Sequence, residues 1–141
     1  MLKRDAVRGA IDMLSKASRI LVMCHANPDG DAIGALLGIG HMLEDAYPEK
    51  SVAFLCKDPS PETFFFLQGT QRVQHSCVIQ EGDVVVFVDS AEPRLTGFTE
   101  SQPELFFDST QSINIDHHPT NTNFGTVNLI DLFAASACEI V

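Results

Sequence analysis

Basic residues are scarce in this chain. Lysine and arginine together number 9 against 19 aspartates and glutamates, for a net charge of −10. That balance excludes a broad electrostatic surface for nucleic acid. It leaves open a small nucleotide held through metal ions, because local charge decides that case. Long apolar runs are also missing, and Met1 to Ala17 is too charged for a signal peptide. A cytoplasmic protein with no membrane partner is the expectation. There is no Cys-x-x-Cys pair. Cys24, Cys56, Cys77 and Cys138 are widely spaced, and Cys24 and Cys56 lie in apolar runs, so buried free thiols are expected rather than disulfides or zinc. Internal repeats, low-complexity tracts and flexible linkers are absent as well.

What is there reads as one domain spanning 1–141. Hydrophobic residues make up 45% and charged residues 20%, an ordinary globular balance in a chain long enough for a real core. Val7, Ala10, Ile11 and Leu14 have helical spacing, which predicts an amphipathic helix over Lys3 to Lys16. Strands are predicted at Ile20 to Cys24, Ser51 to Cys56, Asp83 to Ser90, Ser112 to Ile115 and Val127 to Ile130. Asp83 to Ser90 is the clearest of these, and its unbroken apolar run suits a central parallel strand covered on both faces. Helices are predicted over Ala32 to Asp45 and from Ala134 onward, with a short one over Glu62 to Leu67. Phe64, Phe65 and Phe66 in that short helix are expected to wedge against the core, with a base-stacking platform as the alternative. Gln71 to Ile79 is weakly patterned, with Val73 and Val78 as possible strand residues and His75 as a solvated loop histidine. The alternation of strands and helices predicts an α/β fold with a mostly parallel sheet flanked by helices and joined by right-handed crossovers.

The chemistry is concentrated in His25-Ala-Asn-Pro-Asp29-Gly-Asp31-Ala-Ile-Gly34, the loop between the first strand and the second helix. Asn27, Pro28 and Gly30 keep it from being helical. Two carboxylates this close repel each other unless a cation or proton intervenes. Mixed histidine and aspartate ligation suits divalent ions such as Mn²⁺, or Mg²⁺ where oxygen predominates. The plain alternative is an Asx-rich turn in which Asp31 caps the helix.

Two later strands also end in ligand-type residues, one in Asp89 and one in Asp116-His117-His118. Parallel strands bring their carboxyl ends to one edge, where ligands bind in open α/β sheets. Gathering so many carboxylates without cations would be costly. Two divalent ions about 3.5–4 Å apart would offset that cost and form a hydrolytic centre.

The three stretches His25-Ala-Asn-Pro-Asp29-Gly-Asp31-Ala-Ile-Gly34, Val86-Phe-Val-Asp89 and Asn114-Ile-Asp-His-His-Pro119 closely resemble the first three motifs of the DHH phosphoesterases. Asn128-Leu-Ile-Asp131 followed by Ala134-Ala-Ser136-Ala-Cys-Glu139 resembles the segment that follows them in the nanoRNase branch. The resemblance covers nearly the whole chain in the right order. It implies hydrolysis of short oligoribonucleotides and of 3′-phosphoadenosine 5′-phosphate (pAp), by hydroxide attack on phosphorus at a centre of two manganese ions, with Mg²⁺ or Co²⁺ as alternatives. It implies that His25 and Asp29 hold one ion, Asp31 the other, and that Asp89 bridges both. His117 is implied as a further ligand, His118 as the phosphate contact, and Asp116 as the group that orients an imidazole. Arg94 is a candidate phosphate contact, ranked behind an ordinary surface salt bridge. Partners are then short oligoribonucleotides or nucleotide phosphates, with a second copy of the chain as a candidate.

The family pattern also includes a fourth motif with a further aspartate and a smaller C-terminal substrate domain. Neither lies within these 141 residues, and Asp131 matches a different family position. The resemblance therefore implies a truncated member whose activity alone is weak or absent. Other readings are hydrolysis of a cyclic-dinucleotide product or of pyrophosphate, or a module that binds metal or nucleotide without turnover.

Overall fold

The computed structural model describes residues 2–141. Five strands, β1 (Arg19–Met23), β2 (Ser51–Leu55), β3 (Asp83–Val88), β4 (Gln111–Asp116) and β5 (Val127–Ile130), form one sheet in the order β2-β1-β3-β4-β5, and every neighbouring pair is parallel. The helices are α1 (Arg4–Lys16), α2 (Gly30–Ala46) and a single turn, α3 (Ala137–Ile140). The α/β fold with a parallel sheet is thus as the sequence predicts, and the boundaries of β5 match residue for residue.

Alternation along the strands divides the interior into two cores. Ile20, Val22, Val84, Val86 and Val88 face α1 and α2, whereas Leu21, Met23, Val85 and Phe87 face a layer of loops and 3₁₀ turns that supplies Phe98 and Leu105. All six residues of β3 are buried, which is why its apolar run is unbroken. At the amino end of β3, Asp83 accepts from Arg19 Nε at 3.0 Å and from the Gln80 amide at 2.8 Å. That pairing satisfies a carboxylate buried at the edge opposite the predicted site.

Four expectations need correction. The cap of α2 is Asp29, not Asp31: its backbone is extended and its Oδ1 accepts the Ala32 amide at 3.0 Å. The predicted helix over Glu62 to Leu67 is one 3₁₀ turn, Glu62–Phe64, and only Phe64 packs on the core while Phe65 and Phe66 face solvent. The span 71–79 forms no named strand. It contributes a single bridge from Gln74 to Leu55, and Val78 is exposed. The last helix starts at Ala137 because Ser136 and Glu139 cap it reciprocally: Ser136 Oγ accepts the Glu139 amide, and Glu139 Oε2 accepts the Ala135 amide. The thiols are free, with Cys24 and Cys56 buried. His75 is in the predicted loop, and its Nδ1 donates to the Cys56 carbonyl at 2.9 Å. Among the described residues no helix is long and apolar enough to cross a membrane.

Small residues on α2 let it lie close to the sheet. A Cβ at Gly40 would sit 2.0 Å from Cε1 of Phe54, whose ring is buried. Gly40→Ala is therefore expected to destabilise the chain by about 2 kcal/mol, overpacking outweighing the gain in helix propensity. Gly38→Ala is the contrast. Its Cβ would meet only Val141 Cγ1, at 3.7 Å, and should stabilise by roughly 0.5–1 kcal/mol. Denaturant titration of the two variants checks both signs, and equal effects would refute the packing account.

Candidate metal centre

Each strand of the carboxyl edge delivers its residues differently. β1 ends at Met23, and two residues later His25 turns its ring toward β3. Its Nδ1 donates to the Ala26 carbonyl at 2.6 Å, so Nε2 is left to face Asp89 Oδ2 at 3.5 Å and Asp29 Oδ1 at 3.9 Å. β3 ends in Asp89, which holds a left-handed backbone at φ 52°. That conformation is uncommon outside glycine, asparagine and aspartate. It ends the strand and leaves the side chain buried at the sheet edge, 3% exposed. β4 ends in Asp116, fully buried, followed by His117 and His118.

Asp89 lies at the middle of the set. Its Oδ1 is 3.6 Å from His117 Nε2 and 3.6 Å from His118 Nδ1, and it is buried with no hydrogen-bond partner. Asp31 Oδ2 lies 3.5 Å from His117 Nε2. Two groups of possible ligand atoms, each within 4.8 Å of one another, share this residue: Asp89, Asp116, His117 and His118 on one side, and His25, Asp29 and Asp89 on the other. The separations around Asp89 are too long for good hydrogen bonds and suit ligand atoms that share a cation.

The hydrogen bonds behind the ring nitrogens set their tautomers. His117 Nδ1 donates to the Ala134 carbonyl at 3.3 Å, so its Nε2, like that of His25, is the atom presented to the carboxylates. His118 shares that tautomer but turns its Nδ1 side to the carboxylates. Its Nδ1 donates to Asp116 Oδ1 at 2.8 Å, an oxygen that also accepts the His117 amide at 2.8 Å. Asp116 Oδ2 accepts Asn121 Nδ2 at 2.6 Å, and Asn121 also reaches the Ser90 carbonyl and Asn114. The buried carboxylate of Asp116 is thereby satisfied entirely by groups that position it.

These contacts bias the proton affinities. The Asp89 carboxylate facing Nε2 at 3.5 Å outweighs burial and pushes His25 up to about 9. Hydrogen bonding to Asp116 likewise raises His118. Burial of Asp31 opposes its ionisation, but the amides of Cys138 and Ala137 and the His117 ring hold its carboxyl below the usual range. Those amides donate to Asp31 at 2.9 and 2.8 Å. The Cys138 thiol, whose Sγ donates to the Asp31 carbonyl oxygen, is pushed up to about 12 by burial and by Asp31, so it stays protonated.

The structure brings His25, Asp29, Asp31, Asp89, Asp116, His117 and His118 to one edge. Arg94 is exposed and pairs with Glu92 at 3.0 Å. Sequence reasoning missed Asn121, the clamp on Asp31, and the backbone carbonyls of Ala26 and Ala134. A usable signal existed for the first of these. Asn114 is a polar residue in the middle of a buried strand, and its amide leads directly to Asn121.

The carboxyl edge of one parallel sheet thus gathers these histidines and aspartates in one place. The family model described as the DHH family, N-terminal domain, matches residues 19–141, and the chain belongs to that family. It is 35% identical, over 86% of its length, to the bifunctional oligoribonuclease and PAP phosphatase NrnA of Thermus thermophilus, of which it covers 35%. It is 32% identical, over 79% of its length, to the probable manganese-dependent inorganic pyrophosphatase of Streptococcus agalactiae, of which it also covers 35%. An exopolyphosphatase-related protein from Bacteroides fragilis has the same fold, with a TM-score of 0.85 at 20% identity over 99% of this chain and 42% of that one. The chain spans well under half the length of the curated relatives it matches.

Proposed function

We propose that this chain is the N-terminal, cation-holding part of a phosphoesterase that cleaves short oligoribonucleotides and removes phosphate from pAp. The observation that carries this reading is Asp89 Oδ1, a buried carboxylate oxygen with no partner, faced by the imidazole nitrogens of His117 and His118 at the end of β4. A buried charge in that state is costly, and a cation would satisfy it. The names of relatives such as the NrnA proteins support the substrate class. The pyrophosphatase similarity supports manganese, and it makes pyrophosphate the second substrate to test.

In this reading His25 and Asp29 hold one ion, Asp31 and His117 hold the other, and Asp89 reaches both. Divalent cations bound there would polarise a phosphoryl oxygen and lower the pKa of water. His118 contacts the phosphate: Asp116 fixes its ring and raises its proton affinity, which favours the charged form beside a developing negative oxygen. Asn121 holds Asp116 against rotation. Arg94 is at most an auxiliary phosphate contact, since reaching one would require it to leave Glu92. With its four free cysteines the chain suits a cytoplasmic setting. As a domain, residues 1–141 form the cation-holding half of the phosphoesterase, and a C-terminal substrate domain in the whole protein is part of the proposal.

The test is calorimetric titration of the metal-free chain with Mn²⁺, paired with hydrolysis of a diribonucleotide and of pAp. Two-site binding with slow hydrolysis of either substrate is expected, since the proposed substrate domain is not among these residues. Binding with cleavage of pyrophosphate alone would transfer the reading to the pyrophosphatases, and no binding by the folded chain would refute it. The pH dependence has a definite sign. His25 binds its proton up to about 9 in the metal-free chain, whereas ligation needs the bare Nε2. Mn²⁺ binding should therefore release about one proton at pH 7.5, and affinity should rise with pH until about 9. Titration in buffers of different ionisation enthalpy measures that release.

A further inference from the structure

Beside the cation edge, the chain exposes two adjacent aromatic rings. Phe65 and Phe66 are 62% and 79% exposed, although the sequence pattern predicted that the phenylalanine triplet would wedge into the core. The turn that carries them is fastened on both sides. Phe64 and Leu67 point inward onto the core. The Phe64 amide donates to the Pro61 carbonyl, the Phe65 amide to Glu62, and the Leu67 amide to Phe64. The Thr70 hydroxyl reaches the carbonyls of Phe64 and Leu67. A backbone held this way adds little ordering cost when something stacks on the rings it carries.

The turn is also fastened to the candidate site. The Phe64 ring packs against Gly30, where a Cβ would meet it at 3.4 Å, and Gly30 lies between Asp29 and Asp31. Asp58, earlier in the same loop, accepts the Asn27 amide at 2.8 Å. Consecutive Cα atoms are about 3.8 Å apart, so the Cα atoms of Phe65 and Phe66 lie within about 8 Å of that of Phe64, whose ring touches the loop that carries Asp29 and Asp31.

We infer that Phe65 and Phe66 form a stacking platform for a nucleobase of a substrate whose phosphate is held at the edge formed by His25, Asp29, Asp31 and Asp89. The inference rests on the proposed function for the phosphate and adds the recognition of the base. Aromatic faces take any base by stacking, without a hydrogen-bond code, so the platform confers preference for nucleotides over inorganic phosphates but not for one base. It also works without positive charge, which matters in a chain of net charge −10. An aliphatic pair would cover the same area but offer no π face.

The test replaces both rings at once in the 141-residue chain. The double variant Phe65→Ala, Phe66→Ala should raise KM for a diribonucleotide roughly tenfold or more, about 1.4 kcal/mol per tenfold, with kcat much less affected. Tyrosine at both positions should restore KM, and leucine at both should not. Mn²⁺ titration of each variant shows that the fold and the cation site persist. Separately, proton NMR of AMP added to the wild-type chain should show upfield ring-current shifts at adenine H2 and H8 that vanish in the alanine variant. If leucine restores KM as well as tyrosine does, or if the AMP shifts survive the alanine pair, the platform is refuted and the rings serve a protein contact, such as a second copy of the chain. The NMR arm needs no turnover. Loss of all hydrolysis with intact AMP shifts would sink the proposed function and leave the platform standing.

Discussion

Asp89→Asn is expected to lower Mn²⁺-dependent kcat/KM by roughly 10³-fold or more, about 4 kcal/mol of transition-state stabilisation, and to reduce two-site metal binding to one weak site or none. The substitution is close to isosteric, and asparagine tolerates the left-handed backbone that Asp89 adopts at φ 52°. The fold therefore has no steric reason to fail. Without metal and above about pH 9, where His25 is neutral and no longer pairs with Asp89, the variant should be at least as stable as the parent, because a neutral amide replaces a carboxylate that is 3% exposed and has one oxygen unpartnered. The two readouts move in opposite directions only if Asp89 serves a cation. A residue that merely anchors the loop after β3 would lose stability and leave any metal binding intact. Calorimetry, diribonucleotide hydrolysis and thermal unfolding of the metal-free chain separate the cases, and turnover at the parent rate would end the two-metal account.

The variant bears equally on His25. Its raised proton affinity comes chiefly from Asp89, so removing that charge should return the ring toward 6.5. Proton release on binding at pH 7.5 would then disappear along with the affinity.

Much of this arrangement was legible in the residues. Strands buried on both faces declare themselves by unbroken apolar runs, and β3 does so from Val84 to Val88. Residues at the carboxyl ends of parallel strands converge by topology, so His25, Asp89 and Asp116 could be placed at one edge before any coordinates. What could not be read was which way each group turns. A strand-terminal aspartate looks like a loop anchor in sequence. Asp89 takes its left-handed φ where β3 ends, and just beyond it the Ala91 carbonyl accepts the amide of Thr122 from the loop after β4, a pairing that no local pattern announces. Asp29 and Asp31 are both plausible caps, and only the extended backbone at Asp29 decides between them. The phenylalanine triplet failed for a related reason: composition marks three rings as core, but a 3₁₀ turn has room to bury only some of its side chains. The carbonyls of Ala26 and Ala134 left no trace at all, because a backbone acceptor carries no residue identity.

The contact least visible in sequence carries the second large effect. Asp31 stands 106 positions before Ala137, yet its two carboxylate oxygens accept the amides of Ala137 and Cys138. α3 is a single turn, too short to be stable on its own propensity. Two charge-assisted bonds, each worth about 1.5–3 kcal/mol, are therefore a main reason its start is ordered. The same carboxylate faces His117, so it belongs both to the proposed cation set and to the fastening of the last residues. Asp31→Ala should consequently cost more than a ligand. Mn²⁺ affinity should fall roughly a hundredfold or more, and amide exchange at Ala137 and Cys138 should speed up until those positions are unprotected. Asp31→Asn separates the two roles. The amide keeps one acceptor oxygen but turns a donor toward the other N–H, so it should retain one of the two protected amides while losing the charge that the cation needs. Adding Mn²⁺ to the wild-type chain should slow exchange at both amides, because an ion that holds Asp31 also holds the geometry they bond to. Exchange at Ala137 and Cys138 that is indifferent both to the substitution and to Mn²⁺ would show that Asp31 does not join the two, and the last turn would owe its order to Ser136 and Glu139 alone.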